Sequence, residues 1–296
     1  MSATTTITAT PSRKVRKKTP WRDPLGRFSW LKATVLLLAI LPAVVIAQEW
    51  ATGQMGPRPV TQVLHQLGDM AVRFLVISLA VTPARTVLDW PRVVLLRRIL
   101  GVTAACYALA HLTIYVLDQK WSLLKVASEI ALRFYLTIGF VALIGLLVLT
   151  ATSTDGMMRR LGRRWKKLHR LVFAIGVLAI FHYFLQSKAD VSDAVFLGGL
   201  FLWLMLWRLS PRLWQGQLLL LPVLAAGAGL LTAGIEAAWY GLATSAPAIR
   251  VLAANLNLAY GPRPAVAVFL LGLLVFALAS LRRVPRWWRG LRATPA

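Results

Sequence analysis

Acid, cysteine and histidine are scarce in this chain. Of 296 residues, 10 are Asp or Glu, one is cysteine and 4 are histidine. The single Cys106 excludes an intramolecular disulfide, a CxxC redox pair and a covalent CxxCH haem site. No GxGxxG follows a strand pattern, and no polar stretch is long enough for a nicotinamide-binding domain. No nucleophile or acid–base pair stands out. Charged residues make up 15% of the chain, against about 25% in soluble domains. Hydrophobic residues reach 58%, leaving too little polar surface for a water-soluble fold of this size.

What is present is a series of apolar runs: 31–47, 68–88, 99–117, 131–151, 168–186, 194–209, 217–240 and 264–281. Each is close to the ~20 residues that cross ~30 Å of hydrocarbon. Long runs without alternation exclude barrel strands, so an all-α polytopic transmembrane bundle of eight spans is expected. The first run also fits a signal peptide ending near Ala47. Residues 1–30, polar and basic, read as a disordered tail.

The net charge of +24 would suggest nucleic acid in a soluble protein. The positions of the charges give another explanation. With the N-terminus inside, only Arg58, Arg73, Lys120, Lys125, Arg133, Lys188, Arg250 and Arg263 fall outside or within spans. The other 26 of the 34 Lys and Arg lie inside. That asymmetry follows the positive-inside rule and places both termini in the cytoplasm.

The four histidines, His65, His111, His169 and His182, lie in or beside spans. Imidazole is costly in lipid and faces a bundle interior or a cofactor, and it is the common axial ligand of haem iron. His111 lies ~18 Å along the third span and His182 ~21 Å along the fifth, at 1.5 Å per residue. Those spans run parallel, so the two imidazoles share a height, as a bis-histidine haem requires. His169 lies ~20 Å from His182 along one helix, the offset of a second haem, but ~140° away around it. A bend near Gly176, or different partner helices, would have to absorb that angle. A proton relay in a transporter is the alternative use of buried histidines. His65 reads as a shallow interfacial residue.

The stretches TPARTVLDWPRVVLLRRILGVTAACYALAHLTIY, TSTDGMMRRLGRRWKKLHRLVF and FHYFLQSK resemble the MsrQ (YedZ) family, within the ferric-reductase-like transmembrane cytochromes. The likeness covers about residues 31–212. It implies a bacterial inner-membrane protein holding haem b, with FMN also associated. Such a protein takes electrons from the quinone pool and passes them to MsrP, a periplasmic molybdopterin enzyme that reduces methionine sulfoxide in proteins. The motifs AHLTIY, KLHRLVF and FHYF imply haem ligation by His111, His169 and His182. Bond-making chemistry would then belong to the partner. A stand-alone transmembrane ferric or quinone reductase is the neighbouring reading. The chain departs from the six-span pattern in residues 213–296, an extension with two further spans and no histidine.

Overall fold

A computed structural model describes residues 19, 21–22, 26–187, 190–244, 246–259 and 261–291, of which 284–291 are described by backbone alone. The expected tail lies largely outside these residues. Its described part holds an isolated bridge between Arg22 and Phe28. Otherwise the described residues form helices, turns and connecting segments.

In chain order the helices are α1 (Trp30–Ala51), α2 (Pro59–Val87), a 3-10 segment (Pro91–Leu96), α3 (Arg97–Asp118), α4 (Leu123–Leu132) and α5 (Phe134–Ala151). Then come α6 (Asp155–Leu161), α7 (Arg163–His169), α8 (Val172–Gln186), α9 (Ser192–Leu209), α10 (Leu220–Ala243), α11 (Ala248–Ala254) and α12 (Pro264–Leu291). Among the described residues, eight helical stretches are long and apolar enough to cross a membrane, which makes this a multi-pass membrane protein. Pro59 and Pro91 sit in the first turns of their helices, where the missing N–H costs no hydrogen bond. Two differences from the apolar runs stand out. Helix α2 starts at Pro59, so His65 lies inside it. The run beginning at 131 is divided at Arg133, whose extended backbone separates the short α4 from α5.

Lipid-facing leucines such as Leu37, Leu41 and Leu230 are exposed, while the interior is packed between helices. One core joins α1, α2, α3, α5 and α8 through residues such as Leu75, Ala104 and Leu146. A second joins α2, α8 and α9. The extension packs on the far side of α9. There Gly199 meets Thr232 and Val268, and Gly272 meets Ala225 and Trp203. Small residues at such crossings let helix backbones approach closely in lipid.

At one proline inside a span a long-range hydrogen bond takes the place of the missing donor, and beside another a tyrosine hydroxyl inserts into the helix ladder. Pro83 has no N–H for the Leu79 carbonyl, and Arg208 Nη2 of α9 donates to that oxygen at 2.5 Å. In α1, which contains Pro42, the Tyr107 hydroxyl accepts from Ala43 N–H at 3.0 Å and donates to the Ala39 carbonyl at 2.9 Å.

Candidate functional site

Helices α3 and α8 carry His111 and His182 to the same cavity, of about 500 Å³. Their ring centroids are 6.4 Å apart and their planes cross at 82°. Each ring is anchored on its Nδ1 side. His111 Nδ1 lies 2.8 Å from the Leu64 carbonyl and His182 Nδ1 lies 2.8 Å from the Tyr135 carbonyl. A carbonyl only accepts, so each Nδ1 must carry the hydrogen. That fixes the tautomer and leaves each Nε2 lone pair free for a metal.

The cavity has an apolar floor and a polar mouth. Leu75, Ala108, Leu143, Leu146 and Ala179 line the floor. Asp69, Tyr183, Gln186, Asp190 and Asp193 lie around the mouth. Asp69 accepts from Tyr183 Oη at 3.0 Å and from Arg73 Nε at 2.7 Å. Arg73 also reaches Asp193 at 3.5 Å, tying α2, α8 and α9 together beside His182. Hydrogen bonds from the Ser192 hydroxyl and N–H hold the Asp190 carboxyl below the usual carboxylate range. His65 is exposed and sits at the cavity's edge. Arg133 pairs with Glu129 and with the Tyr135 hydroxyl.

The structure brings His111 and His182 together and leaves His169 apart. His169 ends α7, stacked on Trp165 with centroids 4.0 Å apart, and its Nε2 is 3.3 Å from Thr152 Oγ1. The Trp165 indole N–H in turn donates to the Thr152 carbonyl at 3.0 Å. Between His169 and His182 the helix is interrupted at Arg170–Leu171. Both residues bond three positions back, a 3-10 turn between α7 and α8. Gly176 stays inside α8 and packs toward Phe201.

Sequence reasoning missed the groups that hold the two rings. These are the Leu64 and Tyr135 carbonyls and the glycines Gly68 and Gly139, against which the imidazoles lie. The one signal in the sequence is a fixed offset at which Gly68 and His111 meet Gly139 and His182. Leu64, Gly68 and His111 correspond to Tyr135, Gly139 and His182, with one spacing throughout (135 − 64, 139 − 68 and 182 − 111, each 71).

Fold and site together define a polytopic helical membrane protein with a cavity between two facing imidazoles. A family model described as ferric reductase like transmembrane component matches residues 67–180. The Rhodospirillum rubrum protein-methionine-sulfoxide reductase heme-binding subunit MsrQ is 38% identical over 192 residues, covering 64% of this chain and 90% of that protein. Its namesake in Deinococcus radiodurans is 41% identical over 166 residues, covering 56% and 82%. That of Caulobacter vibrioides is 36% identical over 185 residues, covering 62% and 86%. The chain belongs to the MsrQ family. No solved structure matches it.

Proposed function

We propose that this chain is the haem-b membrane subunit of a protein-methionine-sulfoxide reductase system, with one haem held between His111 and His182. The observation that carries the reading is the pair of anchored imidazoles. Two metal–nitrogen bonds of ~2.0–2.1 Å, each extended by ~1.1 Å from nitrogen to ring centre, give about 6.3 Å between centroids. The rings stand 6.4 Å apart. The cavity volume lies within the range of cofactor sites, and its apolar floor suits a porphyrin face. The family relatives are named as haem-binding subunits, which agrees.

Bound haem would supply one-electron transfer. The chain's own residues orient the ligands, exclude water from the floor and hold charge at the mouth. His111 and His182 present Nε2 because their Nδ1 hydrogens are committed to carbonyls. The Asp69–Arg73–Tyr183 network fixes the mouth. His169 faces no second imidazole. All four histidines are accounted for, so a second haem would need a ligand from outside this set.

In this reading the basic end, with Arg97, Arg98 and the arginines of α6 and α7, faces the bacterial cytoplasm. The bundle lies in the inner membrane with both termini inside. Electrons enter from the quinone pool and leave at the outer mouth to an MsrP-type periplasmic molybdopterin reductase. FMN, implied by family resemblance, would find phosphate-binding charge at Arg159, Arg160, Arg163 and Arg164. Residues 31–212 form the haem core, and 213–296 form an added two-span unit.

The test is a reduced-minus-oxidised spectrum with pyridine haemochrome quantitation. Wild type should give a b-type spectrum at about one haem per chain, abolished by His111→Ala or His182→Ala and retained in His169→Ala. A well-folded wild type without Soret absorption would overturn the reading. The ferric-reductase likeness supports a stand-alone reductase as second reading. Ferric-chelate reduction by quinol at full rate without any partner would favour it.

A further inference from the structure

The two ring anchors share a construction that nothing in the haem reading requires. In a regular helix the carbonyl of residue i pairs with the N–H of residue i+4. Leu64 and Gly68 stand in that relation in α2, and Tyr135 and Gly139 stand in it in α5. Each imidazole therefore bonds a carbonyl whose helical partner is the glycine beside it. A helix carbonyl accepts a second, lateral hydrogen bond only from a donor that can come alongside the helix. A side chain four residues on normally covers that approach, because Cα–Cβ bonds tilt toward the helix N-terminus. Glycine leaves it open.

The clearance leaves no room for a methyl group. A Cβ at Gly68 would lie 2.9 Å from His111 Nδ1 and 3.1 Å from Cε1. A Cβ at Gly139 would lie 2.7 Å from both Nδ1 and Cε1 of His182 and 2.9 Å from Cγ. In both cases the crowded edge is the one that makes the carbonyl bond. The ring would have to turn about its Cβ–Cγ bond or withdraw, breaking the Nδ1–H···O=C contact.

We infer that Gly68 and Gly139 are positioning residues that set the planes and the basicity of the two axial imidazoles, through one cradle built twice 71 residues apart. The inference rests on haem ligation by His111 and His182. Donation from Nδ1–H to a carbonyl makes the imidazole a more basic ligand. A more basic ligand favours ferric over ferrous iron. The duplicated bond therefore lowers the haem potential from both sides, and the crossed cradles fix the 82° between the planes. Perpendicular axial planes leave two iron d orbitals nearly degenerate, which makes a low-spin ferric EPR signal strongly anisotropic.

The experiment uses the full-length protein and four samples: wild type, Gly68→Ala, Gly139→Ala and Gly176→Ala. The last is the control. Its new Cβ would lie 2.7 Å from Phe201, on the helix that carries His182 but away from the ring. Wild type should show the highly anisotropic signal, and a rhombic signal typical of parallel imidazoles overturns the inference without any variant. Gly68→Ala and Gly139→Ala should lose anisotropy and rise in midpoint potential, or fold without retaining haem, while Gly176→Ala keeps the wild-type signal and potential. Wild-type g values and potential in both alanine variants, or an equal change in Gly176→Ala, would overturn it. Absence of haem from wild type would instead sink the underlying reading.

Discussion

At the scale of single residues, a buried tyrosine and a half-buried arginine bridge helices by bonding backbone groups near prolines, and they should not be equally important. Removing the Tyr107 hydroxyl releases Ala43 N–H and the Ala39 carbonyl, which are each other's partners in a regular helix. The ladder of α1 can close on itself, so Tyr107→Phe should cost about 1 kcal/mol or less. Removing the Arg208 guanidinium releases the Leu79 carbonyl, and Pro83 has no N–H to take its place. Arg208→Met should therefore cost about 1–3 kcal/mol, the penalty of an unsatisfied buried acceptor. Pro83→Ala restores the missing donor, so the Pro83→Ala/Arg208→Met double variant should recover much of that loss. Thermal melts of the four proteins in one detergent form the cycle. Equal losses from both single variants, or additive effects in the double, would contradict the backbone argument.

At the scale of elements, the legible features were those set by the bilayer and by fixed helix rise. Hydrocarbon thickness dictates the run length, so all eight spans were visible as apolar runs. Rise per residue placed His111 and His182 at one height on parallel helices, and the structure sets their ring centroids 6.4 Å apart. The polar start of α2 was hidden because its first turns carry no apolar run, and the division at Arg133 was hidden because apolar residues continue across it. Gly68 and Gly139 look like ordinary helix glycines, since their role is defined by a ring on another helix. The α6–α7 corner makes a separate prediction. Gly162, between these helices, has φ +50 and ψ −121, a conformation that L side chains rarely adopt. Gly162→Ala should strain the corner by about 1–3 kcal/mol. It should speed trypsin cleavage at Arg163 and Arg164, whereas Gly227→Ala, in open space within α10, should not. Unchanged cleavage in Gly162→Ala would show that the corner yields without cost.

At the scale of the whole molecule, the last two spans, α10 and α12, are joined to the preceding helices by packing and by arginine contacts at one end. Across the interface Trp207 packs with Leu221 and Ala279. At the basic end Arg283 donates to the Gly216 carbonyl at 2.7 Å and to the Val87 carbonyl at 3.5 Å, and Arg282 lies over the Trp90 ring. At the opposite end Glu236, fully buried, pairs with Arg263 and accepts from Asn255. That polar cluster lies within the extension, and the His111 and His182 anchors come from α2 and α5. In lipid, exposed apolar helix faces are covered by acyl chains, so the loss of α10–α12 forfeits packing and the arginine bonds but little hydrophobic driving force. Truncation after Arg212 should therefore keep the haem-to-protein ratio and the EPR signal while lowering the melting temperature. Replacing Arg282 and Arg283 with alanine in the full chain should lower it by a smaller amount in the same direction. Relatives matched over 82% to 90% of their own length align with 56% to 64% of this chain. If truncation instead removed haem while the remaining spans stayed folded, the extension would have to act on the cavity itself. One route runs through α9, whose first turn places Asp193 against Arg73, and another through Trp239 of α10, whose ring centroid lies 5.6 Å from that of Phe184 on the helix that carries His182. Arg73→Ala or Trp239→Ala should then reproduce the haem loss, and failure of both to do so would leave the preceding helices as the whole of the haem-binding unit.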